Sequence, residues 1–348
     1  REMDTVAHLG GDEFTVLLDD IQQPAQVQSV ATKLLQLFDL PFTVSERELY
    51  IGASIGISIF PDDSDTVEKL TTLAHARLEL ENRLRTALPK REFELHFQPI
   101  VDPGRRRLRG LEALIRWRQP DGSLYGPMDF IPVLEETGLI TPVTAWVLEE
   151  ACRQCRRLHD MGVTGLRINV NISSQSFYQD GLVDAVSGAL ERTGLAAGHL
   201  VLEVTESLLL EDQVHVQQTL EALRRLGVAI AIDDFGTGYS SLAYLRRLPV
   251  DILKIDRSFI VDVGRDERDA ALVSAMLAMA QELHLDVVAE GVEQWRQLDF
   301  LRQRHCNGAQ GFLFSAPLPA ERIHAHLHRD RDWPWQSWMN SPEASQLH

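Results

Sequence analysis

Eight apolar stretches of this 348-residue sequence carry polar or charged residues inside them or just after them. These residues are Gln98, Glu112 with Arg116, Asn171, Glu203, Asp233 with Asp234, Lys254 with Asp256, Glu290 and Gln310. A strand covered on both faces should be an almost unbroken apolar run, so each of these residues needs a reason. Any one of them reads equally well as a solvated strand end. Four carboxylates and an amide converging on one rim do not. Buried carboxylates without partners are costly, so such a group should hold cations. Every candidate ligand is an oxygen donor, which selects hard ions such as Mg2+ or Mn2+. The adjacent Asp233 and Asp234 would point to opposite faces of a regular strand. Both reach one site only where the chain bends, which Gly236 and Gly238 permit. One of the two could bridge a pair of metals at ~3.5–4 Å, the spacing suited to in-line phosphoryl displacement. Lys254, inside Val-Asp-Ile-Leu-Lys-Ile-Asp, is costly unless it faces carboxylates; there it could orient or deprotonate an attacking water.

The elements that must position these residues follow from periodicity. Glu112, Leu114 and Arg116 share one strand face, as do Asn169, Asn171 and Ser173. Strands are expected at Phe93–Gln98, Arg109–Arg116, Leu166–Asn171, Leu200–Thr205, Val228–Ile232, Asp251–Ile255, Leu285–Ala289 and Gly308–Phe314. Amphipathic helical stretches separate most of them: Pro142–Met161, Gln213–Leu226, Asp269–Leu283 and Gln294–Arg304. Eight strands in roughly 240 residues have the rhythm of a (β/α)8 barrel, whose chemistry sits at the C-terminal strand ends. Upstream, Asp4–Leu9 and Phe14–Leu18 flank Gly10-Gly11-Asp12-Glu13 as a hairpin. A helix over Pro24–Phe38 and a β segment over Tyr50–Phe60 follow. Asp65–Leu88 reads as one helix opened by a capping box (Asp65, Glu68) and stopped by Pro89. The expected layout is therefore an α/β fragment over 1–64, a connecting helix over 65–89, a barrel over 90–329 and a tail over 330–348.

Composition narrows the function classes. The hydrophobic fraction of 44% can fill a core. A net charge of −17, from 51 acidic and 34 basic residues, argues against a nucleic-acid binder with a basic face. An anionic substrate would then need metals or local arginines. No apolar run reaches the length of a membrane span. No signal-peptide pattern opens the chain, which begins at Arg1. Three cysteines fit a reducing compartment. A cytoplasmic setting is expected, with an upstream segment free to carry a membrane anchor.

The motifs resemble those of EAL-domain cyclic di-GMP phosphodiesterases from about Phe93 to Leu318. Glu112-Ala113-Leu114-Ile115-Arg116 resembles the family signature. Phe97-Gln98-Pro99-Ile100, Val170-Asn171-Ile172-Ser173, Leu202-Glu203-Val204-Thr205-Glu206-Ser207 and Ile232-Asp233-Asp234-Phe235-Gly236-Thr237-Gly238 follow its order. So do Leu253-Lys254-Ile255-Asp256, Ala289-Glu290-Gly291-Val292-Glu293 and Gln310-Gly311-Phe312. The resemblance implies hydrolysis of cyclic di-GMP to linear pGpG with two Mg2+ or Mn2+ ions per site. It implies that Glu112, Asn171, Glu203 and Asp233 ligate one metal, and Asp233, Asp234 and Glu290 the other. It makes Lys254 the water-positioning base, and Glu112, Asp233 and Glu290 catalytic with it. Arg116, Gln98, Gln310 and Glu293 become substrate-side groups. Glu206 becomes the brace of the loop from Asp234 to Ser241, which would couple a homodimer to metal binding. A non-catalytic cyclic di-GMP receptor, or a scaffold regulated by GTP or cyclic di-GMP, is the alternative.

Gly10-Gly11-Asp12-Glu13-Phe14 resembles the GGDEF signature of diguanylate cyclases. Arg1 and Asp4 match the spacing of that family's inhibitory-site motif, and Ser54-Ile55-Gly56 a later strand. The segment that supplies a metal-ligating Asp and guanine contacts in that family lies outside this sequence, and His8 replaces the usual arginine. No cyclase activity is expected from this fragment.

Other signals have plainer readings. Cys152 and Cys155 lie in an amphipathic helix and read as packing. His324, His326 and His328 read as a solvated helix end rather than a metal site. Arg105, Arg106, Arg107 and Arg109 read as a basic turn. Gly236-x-Gly238 lacks the third glycine of a dinucleotide fingerprint. Trp333, Trp335 and Trp338 read as local packing in the tail.

Overall fold

The computed structural model describes the chain except residues 1–3, 11–12, 20, 22, 39–41, 45–46, 50–52, 54, 64–65, 179–180, 211–212, 239–244, 246–247, 264 and 331–348. The chain divides into two compact units, Arg1–Thr86 and Ala87–His348. In the first, β1 (Thr5–Gly10) pairs antiparallel with β2 (Glu13–Leu17), the hairpin expected from the paired glycines. A helix follows over Pro24–Gln36, with its proline in the first turn, where a missing N–H costs nothing. The expected β segment over 50–60 is not formed in its described part: residues 55–59 belong to no strand. A short hairpin of β3 (Phe42–Val44) and β4 (Arg47–Leu49) lies before it instead. The apolar alternation of Ile55, Ile57 and Ile59 has no described strand beside it to pair with, and without a ladder β propensity does not make a strand. The helix Val67–Ala87 ends just before Pro89. Arg1, Asp65 and the tail tryptophans lie outside the described residues.

In the second unit eight strands close a barrel: β5 (Phe93–Asp102), β6 (Arg107–Arg118), β8 (Arg167–Asn171), β9 (Leu200–Thr205), β10 (Ala229–Phe235), β11 (Ile252–Ile255), β12 (Asp286–Ala289) and β13 (Gly308–Gln310). The two-residue strands β7 (Leu124–Tyr125) and β14 (Leu318–Pro319) extend it beside β6 and β5. From β6 to β13 the neighbours are parallel, but β5 runs antiparallel to both β6 and β13. The barrel thus departs from the all-parallel pattern at its first strand. The reason is length: a parallel crossover needs a dozen or more residues, and only Pro103–Arg106 joins β5 to β6. Asp102 closes that turn by accepting from the amides of Gly104 (3.0 Å) and Arg105 (2.8 Å). Helices over Ile140–Asp160, Leu182–Thr193, Gln213–Arg225, Glu267–Glu282 and Trp295–Gln303 cover the outside. Among the described residues no helix is long and apolar enough to cross a membrane.

Period-two alternation divides the barrel interior into layers. Ile100, Val201, Ala231, Ile252 and Val288 pack together as an apolar floor. Two residues from each, toward the mouth, stand Gln98, Glu203, Asp233, Lys254 and Glu290. The floor is narrow at its glycines. A Cβ on Gly308 would meet Val288 Cγ2 at 2.9 Å and Ile100 Cγ2 at 3.4 Å.

Just past the last barrel strand, Gly311 has φ +155°, and a Cβ there would meet the Val292 carbonyl oxygen at 2.2 Å. The obstacle is backbone and cannot swing aside. Gly311→Ala is expected to cost ~2 kcal/mol or more and to lower the unfolding midpoint by roughly 4–8 °C, measured by calorimetry.

Candidate active site

The polar ends of the barrel strands meet at one point. Lys254 is completely buried, and its Nζ lies 2.6 Å from Glu290 Oε1, 2.7 Å from Glu203 Oε2, 3.0 Å from Asp233 Oδ1 and 3.7 Å from Glu112 Oε2. Strand register brings them there: Glu112 on β6 faces Asn169 on β8, and Asn171 on β8 faces Glu203 on β9. Asn171 Nδ2 donates to Glu112 Oε1 at 2.7 Å. Gln310 Nε2 donates both to Glu112 Oε2 and, at 3.0 Å, to Gln98 Oε1. Gln98 in turn donates to the Ser315 carbonyl at 3.0 Å.

Asp233 and Asp234 both reach the mouth, and the bend that allows this begins two residues earlier than the first of the glycines, at Asp234. Asp234 itself adopts φ +54°, and the ladder to β11 slips between Ile232 and Phe235. Aspartate tolerates the left-handed region better than most residues. Gly236 follows at φ +102°, where a Cβ would strike the Phe259 ring and Met276. Glu206 Oε2 accepts from the Gly236 amide at 2.7 Å and the Gly238 amide at 3.4 Å, so the turn is anchored to a buried carboxylate.

The cluster is short of positive charge. Five carboxylates (Glu112, Glu203, Asp233, Asp234 and Glu290) face one ammonium. Burial alone would lower the pKa of Lys254, but Asp233, Glu112, Glu203 and Glu290 outweigh it and keep the amine protonated. Burial pushes Glu203 well above the usual carboxylate range, and Lys254 only partly offsets it. Burial likewise lifts Glu290 to about 8, against the attraction of Lys254. Asp234 is raised by burial and then by Asp233. Glu112 goes the other way: burial opposes ionisation, but Lys254, Gln310 and Asn171 prevail. In this arrangement the cluster retains protons that cations would replace.

The donor set fits hard divalent cations. One oxygen each from Asp233, Asp234 and Glu290 lie within 4.8 Å of one another. Glu112 and Glu203 face the same point, and the Asn171 amide oxygen is the atom it would offer there. Gln310 Oε1 is buried with no hydrogen-bond partner among the described residues, a lone pair suited to a cation's water shell.

Two of the expected residues hold other partners. Arg116 is half-buried and donates to the carbonyl of its neighbour Ile115 at 2.8 Å. Glu293 turns away to pair with Arg257 at 2.8 Å. Asp4 lies in the first unit. Asn169 is a site neighbour with no role in the sequence reading, although it shares a face with Asn171; it donates to Glu203 Oε1 at 2.7 Å. Its signal was period two, which marks position 169 as interior.

Away from the site, burial pushes the thiols of Cys152 and Cys155 up to about 12, as expected of inert packing cysteines. Arg109 is tied to Asp286 and to the Asn307 carbonyl, while Arg105, Arg106 and Arg107 are exposed on the turn. His324 is half-buried and lines a small apolar cavity with Phe97 and Leu158; the side chain of His328 lies outside the described residues.

The raised carboxylates give stability a pH dependence. Glu290 titrates near 8 when folded, against 4.5 as a free side chain, so the native state binds more protons across that window. Stability of the metal-free protein is therefore expected to fall as pH rises from about 5 to 8. Thermal unfolding in chelator at pH 6 and pH 8.5 measures this, and Glu290→Gln should flatten the dependence.

Comparison with known proteins agrees with this geometry. The EAL domain family matches residues 81–317, and the family described as diguanylate cyclase, GGDEF domain, matches residues 1–85. The chain is 44% identical over 353 residues to the bifunctional diguanylate cyclase/cyclic di-GMP phosphodiesterase MucR of Pseudomonas aeruginosa, covering 94% of this chain and 51% of MucR. It is 43% identical over 353 residues to the cyclic di-GMP phosphodiesterase NbdA of the same organism, covering 94% of this chain and 45% of NbdA. The chain thus spans about half the length of these curated relatives. The solved PaMucR phosphodiesterase, in complex with c-di-GMP, is 49% identical with a TM-score of 0.68, covering 71% of this chain and 100% of that one. With its barrel and acidic mouth, this chain belongs to the EAL-domain family, and a partial GGDEF domain precedes the EAL domain.

Proposed function

We propose that this chain hydrolyses cyclic di-GMP to linear pGpG, using two Mg2+ or Mn2+ ions gripped by Glu112, Asn171, Glu203, Asp233, Asp234 and Glu290. The observation that carries this reading is the buried Lys254 ammonium among four carboxylates at the barrel mouth. The similarity to MucR and NbdA supports the substrate. When bound, such a cation pair supplies positive charge at the phosphate and lowers the pKa of water.

The protein's own groups would do the rest. Arg116, on the strand face of Glu112, meets a phosphate oxygen once it releases the Ile115 carbonyl. Gln98 and Gln310 present amides to the substrate side of Glu112. Lys254 orients the attacking water. Its ammonium is stabilised only by the carboxylates around it. Were those carboxylates held by cations, burial would act against its charge, which would suit Lys254 to accept a proton. Glu206 fixes the Gly236 turn and through it the bend at Asp234. In the same reading that turn and the loop after it contribute to a homodimer. A nucleotide second messenger and three buried free cysteines fit a cytoplasmic setting.

Purified protein with Mg2+ or Mn2+ is expected to convert cyclic di-GMP to pGpG, followed by ion-pair chromatography; binding without turnover would favour the receptor reading. Glu112→Gln should reduce turnover to background while the protein stays folded. Lys254→Met should lower kcat by about 100-fold or more with KM for cyclic di-GMP within a few-fold. Unchanged kcat would remove Lys254 from the mechanism.

A further inference from the structure

Asn169 is an amide set beside the apolar floor of the barrel. It lies in the layer of Ile100, Val201, Ala231, Ile252 and Val288, opposite Val201 on one neighbouring strand and Glu112 on the other. It is 3% exposed. A side-chain amide in such a layer is destabilising unless its hydrogen bonds are made. Gly110 lies beside it: a Cβ there would crowd the Arg167 carbonyl oxygen at 3.1 Å and stand in ordinary contact with Asn169 Oδ1 at 3.6 Å. Its Nδ2 reaches up one layer to Glu203 Oε1 at 2.7 Å. The other oxygen of Glu203 accepts from Lys254 at 2.7 Å. Glu203 is therefore clamped at both oxygens, from below by a neutral donor and from the mouth by a charged one.

We propose that Asn169 is a positioning residue for the metal centre: by occupying Glu203 Oε1 from the floor, it leaves Oε2, the oxygen that accepts from Lys254, as the one Glu203 shares with a cation. This inference rests on the reading of the mouth as a two-cation site. With Asn169 in place the carboxylate cannot rotate into a chelating pose without abandoning a buried donor. Glu203 is then a one-oxygen ligand whose direction is set before any ion arrives. Groups that orient a ligand from behind in this way typically carry a substantial share of metal affinity.

The test is calorimetric titration of Mn2+ alone into the full chain, without nucleotide. Asn169→Leu keeps the volume and removes the donor. It is expected to raise the Mn2+ Kd about 10-fold or more. At saturating Mn2+, its kcat should stay within about 3-fold of the unsubstituted chain, a split that general damage to the fold would not produce. If Asn169→Leu does not fold, Asn169→Ser, too short to reach Glu203, is read the same way. An unchanged Mn2+ Kd in a folded variant overturns the role of Asn169 and leaves the metal reading standing. Failure of the unsubstituted chain to bind Mn2+ overturns both.

Discussion

A single ammonium inside a barrel, facing more carboxylates than it can neutralise, is the interaction on which the rest of this structure depends. Lys254 has no access to water, so its charge persists only because Glu203, Asp233, Glu290 and Glu112 surround it. The reverse is not true: one lysine cannot satisfy five acids, so burial, and after it the neighbouring carboxylates, raise the pKa values of Glu203 and Glu290 despite Lys254. Replacing the cluster with apolar side chains would suit the fold better. A surplus of buried negative charge is a cost to stability that makes sense only where positive charge arrives from outside.

The surrounding architecture keeps that cluster from relaxing. Glu203, Asp233 and Glu290 each stand two residues beyond a close-packed apolar side chain of the floor, Val201, Ala231 and Val288. A carboxylate there cannot sink into the barrel, and its strand cannot twist away without breaking the ladder. The exception is β10, where two consecutive aspartates must serve one site. The chain solves this with a left-handed Asp234, a register slip and a glycine turn tied down by Glu206. Local strain of this kind persists where the surroundings over-determine it.

The antiparallel first strand has a consequence for the same site. Because β5 runs the other way, Gln98 enters the polar layer from the mouth side of its strand, and Ile100 and Val101 continue down toward the floor. Gln98 and Gln310 then meet across the seam that closes the barrel. Closure of the sheet and assembly of the amide side of the site are one event.

Much of this was legible in the residues. Period-two alternation with polar strand ends named Glu112, Asn171, Glu203, Lys254 and Gln310, because burial on a strand is a local, periodic constraint. The spacing of strands and helices fixed the barrel class, and the acidic oxygen-donor set fixed the kind of ion it suits. What the linear order could not settle depends on contacts between distant segments. The reversed β5, the absent strand at residues 55–59 and the bend at Asp234 are set by which neighbours are available to pair. So are the turning of Glu293 toward Arg257 and the clamp of Asn169 on Glu203. Residue type and spacing decide which side chains face inward; only tertiary closure decides which of them meet, because charge and hydrogen-bond energies depend on distances across the barrel, not along the chain.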